Sequence, residues 1–165
     1  MSGLTSLGII HTAISLIAVA AGVVALVRTG EISPETRSGR VYVITTVVTC
    51  ITGFGIYQHG GFGKPHALGV LTLLVLAGVA LAARTQLFGR VSPHVQTIGL
   101  SATFLFHMIW AITETSTRLP LGNPLLTSQD APQLQAATGV LGLLFVAGAV
   151  LQARRLRAAT SAPAS

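Results

Sequence analysis

Five apolar stretches, each about as long as a bilayer is thick, alternate with short polar segments, and this pattern leaves few folds open to the chain. A helix needs about 20 residues to cross a hydrocarbon core of about 30 Å, with a range of about 17 to 25. The stretches run from about Leu4 to Val27, Val41 to Tyr57, His66 to Ala83, His94 to Thr115 and Leu134 to Leu151. Inside lipid, backbone polar groups must be satisfied within the segment itself, so such runs form helices. The expected fold class is all-α, a five-helix transmembrane bundle. It forms one domain over residues 1–157, and a disordered tail is expected over 158–165. Only 8% of the 165 residues are charged, against about 25% in a typical soluble domain, too few to cover a water-facing surface. No basic segment precedes the first stretch, so it reads as a retained helix and not as a cleaved leader.

The charges set an orientation. Arg28, Arg37, Arg40, Arg84, Arg90, Arg154, Arg155 and Arg157 fall at one side of an alternating five-span chain, and Lys64 and Arg118 at the other. Basic residues collect on the cytoplasmic side of membrane proteins. The N-terminus is therefore expected outside and the C-terminus in the cytoplasm, in a bacterial cytoplasmic (inner) membrane. The net charge of +6 does not point to nucleic acid, because the basic residues flank apolar runs and form no patch interleaved with aromatics. Arginine outnumbers lysine nine to one, with Lys64 the single lysine. Tyr42 and Tyr57 bracket the second stretch and are expected as interfacial aromatics. One cysteine, Cys50, excludes an intrachain disulfide and a multi-cysteine metal site.

The fourth stretch carries the chemistry. At about 100° per residue, Gln96, Thr103, His107, Glu114 and Arg118 share a narrow sector, with Trp110 at its edge. A charge near the bilayer centre costs at least about 2.5 to 3.5 kcal/mol, so this stripe is expected to face the bundle interior or a wet cavity. Alternating spans place His11, His66 and His107 in the outer half, with Glu114 nearer the surface and His59 in the adjoining turn. Imidazole and carboxylate together suit a divalent transition metal, and facing helices of bundles hold cofactors such as a b-type haem. The candidate cofactor ligands are thus His11, His66 and His107, and the candidate metal ligands are the same three with Glu114. A hydrogen-bonded packing network would use the same residues. Glu114 and Arg118 stand four apart in the favourable order for an ion pair.

No catalytic residues are assigned: the chain has no Gly-x-Ser-x-Gly turn and no phosphate-binding glycine loop. Gly60-Gly61-Phe62-Gly63 reads as a turn. Small residues at four-residue spacing, among them Thr45, Thr49 and Gly53, let helix backbones approach closely. Besides the lipid bilayer, membrane proteins that dock on such faces are candidate partners, which makes an accessory or assembly subunit the alternative function. Five helices without an inverted repeat fit poorly with common transporter designs.

Ser38-Gly39-Arg40-Val41-Tyr42-Val43, Gly61-Phe62-Gly63-Lys64-Pro65-His66-Ala67-Leu68 and the helix-opening His94 resemble motifs of a family of uncharacterised bacterial multi-pass membrane proteins. The resemblance covers about residues 35 to 110 and matches His66 and His94 to family histidines. The family's histidine before the Gly-Arg step is missing, with Glu35 nearby. The resemblance implies the membrane class and no particular activity.

Overall fold

The computed structural model describes residues 6–56, 61–120 and 122–161. These residues form five helices and no strand: α1 (Ser6–Thr29), α2 (Arg37–Gly53), α3 (Lys64–Arg84), α4 (Ser92–Arg118) and α5 (Pro132–Ser161). Each helix end has a local cause. Gly30 closes α1 with a left-handed φ of 76° and a 2.9 Å bond from its N–H to the Leu26 carbonyl, a capping geometry that favours glycine. Thr36 opens α2 by accepting the Gly39 N–H at 3.1 Å, as an N-cap threonine does. Pro65, Pro93 and Pro132 lie in the first turns of α3, α4 and α5, where the missing proline N–H costs nothing.

The inside and outside of the bundle are inverted relative to a soluble protein. Leu143 is 72% exposed and Leu16 61%, whereas Thr46 and Thr103 are fully buried. Large apolar side chains exposed around a helix indicate a lipid surround. Two of the buried threonines satisfy themselves within their own helix: Thr72 donates to the Leu68 carbonyl and Thr113 to that of Ile109, each at 2.8 Å. Four helices, α1, α3, α4 and α5, are long and apolar enough to cross a membrane. The fifth, α2, has 17 residues, near the lower limit of about 17. Its start adjoins the Gly30 turn, and its last turn meets His11 of α1 through Thr52.

Several boundaries differ from the sequence expectation. α2 begins at Arg37, a turn before Val41, and ends at Gly53. Tyr42 therefore lies a full turn inside the helix and is completely buried. It is a core residue, not an interfacial one. α5 continues past Leu151 to Ser161, so the expected tail starts as helix. The expected sites at Leu4, Tyr57 and His59, and residues 162–165, lie outside the described residues.

α4 is the hub. It packs on α1, α3 and α5, and reaches α2 through side chains: the Tyr42 hydroxyl meets Thr103 Oγ1 at 2.8 Å, and Thr46 Oγ1 meets His107 Nε2 at 3.1 Å. At the Arg-bearing end, Gln152 of α5 donates to the Gly30 carbonyl at 2.9 Å and to Ser101 Oγ at 3.0 Å. Thr97 there donates to Glu31 Oε2 at 3.2 Å.

Candidate functional site

At the end opposite the arginines the helices part to leave a cavity of about 440 Å³, within the usual range of about 300–1,000 Å³ for ligand sites. His11 of α1, His66 of α3, and His107 and Glu114 of α4 all line it. Trp110 and Phe106 of α4 and Phe54, just past α2, supply aromatic wall. The polar stripe of α4 thus faces inward, where hydrogen bonds and ion pairs offset its cost.

His11 is held by Thr52. Its Nδ1 lies 3.0 Å from Thr52 Oγ1, and the Thr52 hydroxyl proton is directed at the Val48 and Thr49 carbonyls, at 2.8 and 3.1 Å. With the Thr52 proton given to its own helix, an Nδ1–H form of His11 would donate to Thr52 and keep a lone pair on Nε2. Gly53 makes room for this ring: a Cβ there would stand 3.2 Å from His11 Cε1.

His66 has the opposite arrangement. Its Nδ1 accepts the Gly63 N–H at 3.2 Å, which caps α3 and leaves the ring proton of a neutral imidazole on Nε2. The ring stacks between Phe54 and Phe62, with centroid distances of 6.5 and 5.3 Å. His107 meets Thr46 through Nε2 and stands edge-on to Tyr42 at 5.9 Å. Thr103 donates to the Leu100 carbonyl at 2.8 Å and shares a hydrogen bond with the Tyr42 hydroxyl.

Two ion pairs frame the mouth. Glu114 pairs with Arg118 one turn on, and Lys64 meets Asp130 at 2.5 Å with both side chains about 70% exposed. Among the described residues, no three His, Cys, Asp or Glu side chains come together as a metal-binding group.

Thr49 and Cys50 also line the cavity, and both are buried. Thr49 Oγ1 has no hydrogen-bond partner among the described residues, unlike the interior threonines that bond to their own helix. The sequence reading placed Thr49 on a small-residue packing face. Spacing alone carries no signal for its second role, since a threonine on a lipid-facing or a packed helix surface looks the same.

The chain matches no protein-family model, no curated protein and no solved structure.

Proposed function

We propose that this is a five-span protein of a bacterial inner membrane, with its arginine-bearing end in the cytoplasm and an outer cavity that binds a b-type haem through His11. The observation that carries the reading is the setting of His11, which lines the cavity with Nδ1 held 3.0 Å from Thr52 Oγ1. An axial imidazole needs a lone pair on one nitrogen and gains basicity and orientation when the other donates a hydrogen bond; the Nδ1–H form of His11 meets both needs, with Thr52 as acceptor and Nε2 as ligand. Phe54, Phe106 and Trp110 supply apolar wall for a macrocycle. Lys64 and Arg118 offer cations at the mouth for its carboxylates. The Lys64–Asp130 pair is exposed, and such pairs contribute about 0 to 1 kcal/mol, so a ligand carboxylate displaces Asp130 at little cost. Haem needs only one or two protein ligands. A metal ion held jointly by His11, His66, His107 and Glu114 needs a denser cluster than the described residues form, and His66, with its proton on Nε2, serves this reading as the cap of α3.

A visible spectrum of the purified protein after haem-supplemented growth tests the proposal. A Soret band at stoichiometric haem, lost in His11→Ala and kept in His94→Ala, is the expected result. Absence of the band together with no response to added hemin removes the haem reading. That outcome favours the alternative of an accessory subunit. A specific observation supports it: on α5, Gly139 and Gly142 stand about 60° apart on one face, and a Cβ added at either would meet nothing within 4 Å, so this small-residue face is unfilled within one chain. The resemblance to uncharacterised multi-pass proteins fits both readings.

A further inference from the structure

The arginine bias has no explanation in topology alone, because lysine serves the positive-inside rule as well as arginine does. All eight arginines of the Arg-bearing end are exposed, and none forms an ion pair with a carboxylate. Among the described residues the two ion pairs, Lys64–Asp130 and Glu114–Arg118, both sit at the opposite end. One end is internally neutralised and the other presents open guanidinium groups.

We infer that this end binds the headgroup phosphates of anionic phospholipids at a site formed by Arg28, Arg154, Arg155 and Arg157. Three features favour a lipid. First, the guanidinium plane offers paired N–H donors that match phosphate oxygens bidentately, which an ammonium cannot do. Second, the structure sets Arg155 of α5 against the end of α1: Gln152 binds the Gly30 carbonyl, and a side chain at Gly30 would collide with the Arg155 guanidinium. The end of α1, with Arg28, is thereby fastened beside the last turns of α5. Third, apolar residues flank this cluster on the membrane side, with Val27 81%, Val150 51% and Leu151 56% exposed. Acyl chains can lie on these while the phosphate meets the guanidinium groups. A free anion would gain nothing from that apolar shelf. The site is separate from the cavity at the other end.

Native mass spectrometry of the full-length protein in neutral detergent, titrated with phosphatidylglycerol and with phosphatidylcholine, tests the inference. Phosphatidylglycerol is expected to bind more tightly. Replacing Arg154, Arg155 and Arg157 together by Gln is expected to weaken it on the order of a hundredfold, as three basic residues near an anionic surface predict. Arg118→Gln, at the opposite end, is expected to leave it unchanged. Since the Gln triple variant can fail to insert correctly, the matching Lys triple variant keeps the charge and removes only the forked donors; it is expected to bind several-fold more weakly than the native chain. Equal affinity for the two lipids overturns the inference, and so does native-level phosphatidylglycerol binding by the Lys variant.

Discussion

Thr52 acts on the cavity without lining it. Its hydroxyl reaches carbonyls of its own helix and also meets His11 Nδ1 at 3.0 Å, which orients the ring. Thr52→Val keeps the shape and removes the acceptor. Loss of a partner of this kind costs a ligated site about 10- to 100-fold in affinity. Hemin titration is expected to show a weakening in that range, with Thr52→Ser near native; a Val variant indistinguishable from native would remove Thr52 from the account. Tyr42 gives a second residue-scale prediction. Interhelical hydrogen bonds in membrane proteins average about 0.6 kcal/mol, with a maximum of about 1.7. Tyr42→Phe is expected to lower stability by an amount in that range, measured by denaturation in mixed micelles. An effect beyond that range would mean that the Tyr42–Thr103 bond organises more than one helix contact. His11 was visible in the sequence as a buried-depth histidine. Its tautomer was not, since it depends on a hydroxyl 41 positions away.

Among the helices, α4 was the most legible. Polar residues recurring at the helical period in an apolar run can only face inward, and Gln96, Thr103, His107 and Glu114 do line interior contacts or the cavity. α2 was the least legible. A threonine can bond to its own helix on either face, so the pattern did not show that Tyr42 and Thr46 point inward, and the expected span was displaced toward Tyr57. What positions α2 is its first turn: Gly39 lies so close to the Ser33 carbonyl that a Cβ would overlap it. Gly39→Ala must therefore shift the helix or the turn, and overpacking of this sort costs about 1 to 3 kcal/mol. The expected outcome is a destabilised protein, with a larger loss in thermal melting than Gly139→Ala, where the added methyl meets open space. Equal melting of the two variants would contradict this view of the α1–α2 turn.

For the whole molecule, the number of crossings and their direction remain the broadest expectations, and they stand on charge asymmetry and alternation. A reporter fused after Arg157 is expected to be active only in the cytoplasm, and one inserted at Asn123 only outside. Activity of both on one side would mean that α5, the helix between them, does not cross, and would overturn the five-span count. The hub position of α4 was beyond sequence reasoning, because apolar faces of similar composition do not say which helix meets which. The structure ranks them through contacts that involve few residues.

Gln152 is synthesised long after the turn that ends the first helix, to which it bonds. During synthesis, the Gly30 carbonyl and Ser101 hydroxyl emerge long before the side chain that completes them. The earlier helices must therefore wait with that junction unfinished until α5 is made. A chain stopped at Leu151 retains every earlier helix yet lacks this closing residue. It is expected to insert and then to be cleared by proteolysis faster than the full chain in a pulse-chase experiment. Equal lifetimes would show that the bundle does not depend on its last helix being fastened to its first turn.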